Sequence, residues 1–422
     1  MRRPSPSTTT PFTVVDEITR HCLDPAEPET VHIEVHLPEA PDPERLRDAF
    51  VEALRRHPRI LMREAPGPWY RRRYAWELTP HPDTSGVVVH HRDASPRVLE
   101  AARARALTHA PPLSLSPPVR LEIIGRVLLL VLNHTALDGP ACLRVLATAA
   151  EIYGGRDNSP AATATPERPE HRHPVPGTGF APVARVAAGT PGTASGNGML
   201  AVELPVPRRP AGVPYTVNDQ LMVATARTIA EWNTERGAAP RPMRITMPVD
   251  DRSRGMDMPI GNGTRLVEVP FLPEELADAD TAELLLRTAD RTRALKALAR
   301  PQLGHGARLL TAPVVPVAVR AAVTRQLRRA VGAWTSTTLL SNIGRVPYPL
   351  DFGDGVGRAS AVWFSAPARM PRGLTVTTAA TGGRLHLCLR WSGALLGPDD
   401  GEHLRELFEK HLQSTSALAS TP

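Results

Sequence analysis

The chain of 422 residues has few aromatic residues, few cysteines and almost no lysine. Aromatic residues make up 4% of the sequence, and Lys296 and Lys410 are the only lysines among its 50 basic residues. The three cysteines, Cys22, Cys142 and Cys388, are odd in number and far apart, which excludes a disulfide framework and a CxxC redox motif. This cysteine usage is typical of a reducing compartment, so we expect a cytoplasmic protein.

Long apolar segments are also missing. The longest apolar run near the centre of the chain is far shorter than the ~20 residues of a transmembrane helix. The N-terminal segment "MRRPSPSTTTPF" has basic residues but no apolar segment after them, so it does not predict a secretory signal. We therefore expect a protein without a membrane span.

The charge balance limits the classes of partner. A net charge of +7 suits a phosphate-bearing partner such as nucleic acid, coenzyme A or an acidic carrier protein, but the arginines are scattered along the chain, which is typical of an ordinary solvated surface. The sequence contains no zinc-finger spacing, no glycine-rich phosphate loop and no aromatic-basic RNA motif, which argues against nucleic acid. His171 and His173 have no further ligands nearby in the sequence, so we expect no metal site.

Hydrophobic periodicity predicts strands mixed with helices in both halves of the chain. One amphipathic helix is predicted over residues 42–58, and longer helical stretches at roughly 272–299 and 311–333. A segment rich in Pro, Gly, Ala and Thr separates the halves and has no apolar period, which is typical of a linker. The predicted organisation is a first lobe over 1–154, a linker over 155–197 and a second lobe over 198–422.

The most informative stretch is "VLLLVLNHTALDGPACLRVL", residues 127–146. A buried strand leads into His134, and histidine is the side chain best suited to accept a proton at neutral pH. Asp138 can support the turn that follows, and Gly139 leaves space where a substrate would pass. A plain helix start, with Asp138 as the N-cap residue and His134 in the turn, is the alternative.

The order of strand, "NHTALDG" and helix resembles the H-H-x-x-x-D-G active-site motif of the chloramphenicol acetyltransferase-like superfamily. This superfamily includes condensation domains of non-ribosomal peptide synthetases, polyketide-associated acyltransferases and plant BAHD acyltransferases. His134 matches the catalytic histidine, Asp138 and Gly139 match the last two positions, and Asn133 replaces the first histidine. The resemblance extends over most of the chain, through "LRDAFVEALRRHPRI", "YTVNDQLMVATARTIAEWN", "MPVDDR", "GNGTRLVEVPF" and "LLSNIGRV".

The resemblance implies an α/β fold in which two chloramphenicol acetyltransferase-like lobes form a V-shaped pseudo-dimer with a central tunnel. His134 would be the general base, Asp138 would support it, and Arg252 of "PVDDR" would pair with Asp138 across the lobes. Ser341 and Asn342 would donate to the oxyanion or shape the channel. No tightly bound cofactor is implied, because an acyl thioester of coenzyme A or of a phosphopantetheine carrier is the co-substrate.

The sequence therefore predicts a stand-alone acyltransferase of the condensation type, in specialised metabolism, that forms an ester or amide from a thioester. Its partners would be a small-molecule acceptor and an acyl or peptidyl carrier protein. Two alternatives remain: cyclisation or hydrolysis of a carrier-bound chain in the same cleft, and a binding or scaffold protein with a decayed site. If a carrier delivers the donor, Arg325, Arg328 and Arg329 on the helical segment 317–334 are the expected docking face.

Overall fold

The computed structural model describes residues 8–114, 117–160, 181–192, 196–252, 255, 257–298, 303 and 305–417. Within these ranges the chain forms ten α-helices and fourteen β-strands, and the strands make three sheets. The mixed α/β fold predicted from the sequence is confirmed. Two separate hydrophobic cores, one for each lobe, account for most of the buried apolar side chains.

The first half of the chain supplies seven strands and four helices. In chain order they are β1 (Thr8–Pro11), α1 (Val14–His21), β2 (Thr30–His36), α2 (Pro43–Arg56), β3 (Arg63–Glu64), β4 (Ala75–Leu78), β5 (Val88–His91), α3 (Pro96–Thr108), β6 (Val119–Ile124), β7 (Val127–Asn133) and α4 (Gly139–Gly154). Strands β1, β4 and β3 form a small antiparallel sheet. Strands β2, β7, β6 and β5 lie side by side in the sheet that carries the first core, on which α2 and α4 pack together.

The second half supplies seven strands and six helices. They are β8 (Asn197–Pro205), α5 (Val217–Glu235), β9 (Met243–Asp250), β10 (Thr264–Phe271), α6 (Pro273–Asp278), α7 (Thr281–Ala297), α8 (His305–Leu310), α9 (Val317–Ala330), β11 (Thr338–Arg345), β12 (Ala361–Ser365), β13 (Leu374–Thr381), β14 (Arg384–Ser392) and α10 (Pro398–Ala417). Six of the strands form one sheet in the order β10-β9-β11-β13-β14-β8. Helices α5 and α10 pack against each other in the second lobe, which buries Trp232, Phe271 and Phe408.

Strand β12 crosses from the second half of the chain into the first sheet. It pairs antiparallel with β2, with Val362 opposite Val35, and Val362 and Phe364 are part of the first core. The assignment of all residues in 198–422 to the second lobe is therefore wrong for this segment, because a short apolar strand does not specify which sheet edge it will complete. The other predicted boundaries stay predictions. Residues 161–180 and 193–195 of the predicted linker, with His171 and His173, lie outside the described residues.

The helix predicted over 42–58 is confirmed as α2. The Asp42 carboxylate accepts a hydrogen bond from the Arg45 amide at 2.7 Å, and Pro43 occupies the first turn, where its missing N–H costs nothing. Leu46 and Phe50 are among the side chains that this amphipathic helix buries in the first core. Local signals were sufficient here because cap and apolar period agree.

The two longer helical predictions have wrong bounds. The stretch 272–299 is two helices, because Ala279 is extended and Asp280 begins a new helix by accepting a hydrogen bond from the Ala282 amide at 3.0 Å. The stretch 311–333 becomes helical only at Val317, since a residue that precedes proline is disfavoured in the helical conformation and Pro316 stands immediately before the helix. Among the described residues, no helix is both long and apolar enough to cross a membrane.

Candidate active site

A cavity of about 400 Å³ lies where the two lobes meet. The first half of the chain contributes His134 and Gly139 to its lining, and the second half contributes Asn262, Ser341 and Asn342. Most of the residues that the sequence predicted for a site therefore converge on one cavity. Both halves of the chain are needed to form it.

His134 is held at the end of β7 by two hydrogen bonds. Its backbone amide donates to the Glu29 carbonyl at 2.8 Å, and its ring Nδ1 lies 2.9 Å from the Leu137 carbonyl oxygen. A carbonyl oxygen can only accept, so Nδ1 carries the hydrogen and the neutral ring keeps its lone pair on Nε2. The half-buried imidazole, which lines the cavity, thus has an unprotonated nitrogen available as a base.

Asn133 shapes the turn that places this histidine. Its side chain is buried, with Oδ1 accepting from the Thr135 amide at 3.0 Å and Nδ2 donating to the Pro111 carbonyl at 3.0 Å. Asn133 is not among the residues that line the cavity. The side-chain amide of Asn133 thus fixes the backbone next to His134, outside the cavity lining. An asparagine is sufficient for this role, so a histidine at position 133, as in the common motif, is not required for it.

Asp138 uses both of its carboxylate oxygens for structural hydrogen bonds. Oδ1 accepts from the Ala141 amide at 3.1 Å and begins α4, while Oδ2 accepts from Arg252 Nη2 at 2.8 Å and from the Gly263 amide at 2.9 Å. Only 2% of the residue is exposed. Asp138 also lines the cavity, and its hydrogen bonds position the start of α4 and join the lobes, in agreement with the supporting role expected for it beside His134.

Arg252 is fixed from its own lobe as well. It donates to the Asp250 carboxylate from Nε at 2.8 Å and from Nη2 at 3.0 Å, and Nη1 donates to the carbonyls of Pro259 and Gly261. Burial alone would lower the pKa of the guanidinium, but the hydrogen bonds and charges of Asp250 and Asp138 outweigh it and raise the pKa above its usual range. The pair between Arg252 and Asp138 that the sequence predicted is present in the structure.

Asn262 and Gly263 of the "GNG" segment before β10 also support the site, although the sequence alone predicted no role for them. Asn262 Nδ2 donates at 2.9 Å to Asp16 and at 2.9 Å to the carbonyl of Thr135, the residue directly after the histidine. A Cβ atom at Gly263 would lie 2.2 Å from Arg252 Nε, so this position accepts only glycine while Arg252 stays in place. The second lobe thus supports the turn around His134 through a backbone contact.

Ser341 and Asn342 lie on β11 but differ in what they offer to the cavity. Asn342 Oδ1 accepts from the Gly344 amide at 2.8 Å and from Thr378 Oγ1 at 3.0 Å, which fixes the irregular pairing of β11 with β13. No described residue hydrogen-bonds the hydroxyl of Ser341, which lines the cavity. Of the two predicted oxyanion donors, Ser341 therefore has the uncommitted group and Asn342 shapes the strand.

Contacts within the protein do not require a glycine at position 139. A Cβ atom there would meet Phe364 Cδ2 at 4.0 Å, which is ordinary van der Waals distance. Gly139 and Phe364 both line the cavity. The space above this glycine is thus part of the volume that a ligand would use.

Cys142 lies next to the motif but is not a nucleophile. The residue is fully buried, and burial together with the Asp138 charge raises the pKa of its thiol well above the usual value. Thiolates, not thiols, react as nucleophiles, so this cysteine is an inert part of the core.

Three arginines also line the cavity: Arg328, Arg369 and Arg372. Arg369 pairs with Glu29 at 2.5 Å, and Arg372 Nε donates to Ser336 Oγ at 2.7 Å. Burial lowers the pKa of Arg372 to about 10, so it is charged at neutral pH. Glu29, Asp138 and Asp250 line the same cavity, but each of these carboxylates is paired with an arginine. Arg328 and Arg372 are therefore the arginines of the lining that have no acidic partner among the described residues.

The docking face predicted from Arg325, Arg328 and Arg329 is not a set of three free charges. Arg325 Nη1 donates to the His21 carbonyl at 3.3 Å, and Arg328 Nη2 donates to the Met370 carbonyl. Arg329 is exposed. Two of the three guanidinium groups therefore tie α9 to the remainder of the protein.

Comparison with known proteins supports the fold. No family model matches the chain. The uncharacterised protein Rv2305 of Mycobacterium tuberculosis is 28% identical, over 87% of this chain and 91% of that protein. The condensation domain of the Monacolin K polyketide synthase MokA matches 98% of both chains with a TM-score of 0.62 at 14% identity. The trichothecene 15-O-acetyltransferase TRI3 of Fusarium sporotrichioides matches 97% of this chain and 96% of its own with a TM-score of 0.64 at 11% identity.

The chain accordingly has the same two-lobed fold as this condensation domain and this acetyltransferase. This likeness is one of architecture, because sequence identity to the solved structures is low. Activity has to be argued from the residues around the cavity.

Proposed function

We propose that this protein is an acyltransferase that moves an acyl group from a thioester to a hydroxyl or amine acceptor, with His134 as the general base. The observation that carries the proposal is the hydrogen bond between His134 Nδ1 and the Leu137 carbonyl, which leaves Nε2 as an acceptor at the cavity. A base that is oriented in this way, in a cavity formed by both lobes, is what direct acyl transfer needs.

The reaction needs no covalent enzyme intermediate. His134 Nε2 takes the proton of the acceptor O–H or N–H while the acceptor oxygen or nitrogen forms a bond to the thioester carbonyl carbon. The carbon–sulfur bond then breaks, and the thiolate receives the proton from the imidazolium, so that the base is restored. The Ser341 hydroxyl is the proposed donor to the carbonyl oxygen as it becomes negative.

Two arginines of the cavity that have no acidic partner among the described residues favour a donor with phosphate groups. Arg328 and Arg372 would attract the phosphates of coenzyme A or of a phosphopantetheine arm, which are the two common carriers of acyl thioesters. Fold similarity to a condensation domain and an acetyltransferase supports the same reaction class. A role in specialised metabolism in the cytoplasm is part of the proposal.

The proposal is tested by measuring thiol release from a panel of acyl-coenzyme A thioesters and phosphopantetheine thioesters. Each thioester is incubated with and without alcohols and amines as acceptors. We expect release that depends on an acceptor and yields an ester or amide. Release without an acceptor would identify a hydrolase, and formation of a ring from a donor with its own nucleophile would identify a cyclase. No release with any pair, together with tight binding of a thioester, would identify a binding protein instead.

A further inference from the structure

Well-exposed apolar side chains are concentrated in one region, around α9. Among the described residues, eleven of the thirteen large apolar side chains with high exposure belong to the loop at 69–70, the segment 309–334 or Met370. Val319, Val323 and Leu327 follow each other at four-residue spacing, so they lie on one face of α9. Their exposed fractions are 46%, 50% and 43%.

Neighbouring segments extend this apolar face. The Val317 amide donates to the Arg71 carbonyl at 2.8 Å, which brings Trp69 and Tyr70 to the start of α9. These two rings are 73% and 61% exposed. We define the α9 surface by its exposed apolar side chains: Trp69, Tyr70, Leu309, Val314, Val319, Val323, Leu327, Val331 and Trp334.

Exposed arginines lie next to the side chains of the α9 surface. Arg72 and Arg73 follow Tyr70, Arg308 precedes Leu309, and Arg325 and Arg329 lie on α9, a helix that contains no aspartate or glutamate. Glu17 of α1 lies beneath α9, where it is buried and paired with Arg320 at 2.5 Å. Its charge is thus neutralised, whereas Arg329 is exposed beside the apolar face.

We propose that the α9 surface binds the face of an anionic lipid bilayer. A helix that lies flat on a membrane combines an apolar face of residues such as Leu and Trp with arginines and lysines on its polar face. Tryptophan and tyrosine are the side chains that favour the headgroup level, and negatively charged lipids attract exposed arginines. The α9 surface has all of these features.

A carrier protein is a weaker match to the same face. Carrier docking would depend on free arginines, whereas Arg325 and Arg328 bind carbonyl oxygens and the α9 surface is apolar over most of its length. The membrane proposal does not rest on the proposed acyl transfer. It has a consequence for the cavity, however: Arg328 of α9 and Thr335 also line it, so that a bilayer on this surface would lie next to the cavity.

Sedimentation of the full chain with vesicles tests the proposal, without any substrate. One set contains phosphatidylcholine alone, and the other contains phosphatidylcholine with phosphatidylglycerol. We expect binding to the anionic vesicles at least about ten-fold stronger than to neutral ones, and weaker binding when salt is raised. Failure of the wild-type chain to bind anionic vesicles would overturn the proposal.

Variants locate the contact. The triple change Val319→Ser, Val323→Ser and Leu327→Ser should weaken binding at least about ten-fold, because these side chains supply the apolar contact. Leu286→Ser, an exposed leucine of α7, is the matched control and should bind like wild type. Arg329→Gln should weaken binding about five-fold, whereas Arg47→Gln on α2 should not change it.

Three further outcomes would overturn the membrane assignment. If the triple variant binds anionic vesicles as strongly as the wild type does and its melting curve is unchanged, another surface contacts the lipid. If the wild type is a dimer, the triple variant is a monomer and neither binds vesicles, a second copy of the chain covers the α9 surface. Binding of an acidic carrier protein in place of vesicles would assign the face to that partner.

Discussion

Arg252 of the second lobe lies 2.8 Å from Asp138 of the first, although 114 positions separate them in the chain. Their side chains are 11% and 3% exposed. The contact fixes the beginning of α4, the helix that starts five residues after His134. A buried charge pair between the lobes therefore holds the residue that follows the His134 turn and begins α4.

Removing one partner of this pair should destabilise the protein strongly. Arg252→Gln leaves the Asp138 carboxylate buried without its cation, and we expect a loss of roughly 3–5 kcal/mol in the free energy of unfolding. Arg384→Gln, which breaks an exposed pair with Glu203, is the control and should cost less than about 1 kcal/mol. Denaturant titration of Arg252→Gln, Asp138→Asn and the double variant gives the coupling, and strictly additive losses would mean that the two side chains do not interact.

A methyl group at position 263 should have a similar effect without removing any charge. Gly263→Ala places a Cβ atom 2.2 Å from Arg252 Nε, so the guanidinium has to move away from Asp138. We expect a lower melting temperature and reduced turnover. Gly86→Ala, where the new Cβ meets nothing within 4 Å, should melt like wild type. Equal melting of the two variants would contradict the tight packing described for Arg252.

Gly139→Ala should separate folding from function. The protein has room for the methyl group, since the nearest contact would be Phe364 at 4.0 Å, so the melting temperature should change little. The methyl group would occupy space in the cavity, so we expect a lower kcat/KM for the substrate pair. An unchanged kcat/KM would mean that substrates do not pass over this glycine.

Acidification should destabilise the protein through a buried histidine. Burial, together with the charge of Arg390, lowers the pKa of His32 to about 3, whereas the unfolded residue titrates near 6.5. Between these values the unfolded chain binds more protons than the folded one. Stability therefore falls as pH decreases from about 6.5 towards 3, by up to about 1.4 kcal/mol per pH unit from this group.

Denaturant titrations at a series of pH values below 7 check this expectation. His32→Gln should make the decline in stability with falling pH shallower than in wild type, even if the variant is less stable at neutral pH. His90→Gln, at an exposed position, should keep the wild-type slope. Identical slopes for wild type and His32→Gln would show that His32 is not the group responsible.

The sequence predicted the parts of the fold that depend on local signals. The cap at Asp42 and the apolar period gave α2, and the strand before His134 was evident from its continuous apolar run. Strand β12 was assigned to the wrong lobe because sheet pairing between distant segments leaves no local pattern. The helix bounds near Asp280 and Pro316 were predicted wrongly because a long stretch of high helix propensity hides a single residue that interrupts it. Asp280 is such a residue, as the cap of a new helix, and Pro316 is another.

The candidate site was predicted as a set of residues but not as an arrangement. The resemblance pointed to His134 and Arg252, whereas the roles of Asn262 and Gly263 depend on a contact between lobes. The exposed apolar side chains of the α9 surface were not predicted, for a related reason. Charge is visible in the sequence, but only the packing of α9 shows which of its apolar residues stay exposed.

The most direct test of the account is the turnover of His134→Ala with the thioester and acceptor pair that the wild type uses. Loss of the base should lower kcat by about 10²–10⁴-fold while the melting curve stays unchanged, since the ring is only half-buried. His90→Ala, which changes an exposed histidine, should retain wild-type turnover. Equal rates for His134→Ala and wild type would contradict the assignment of His134 as the general base.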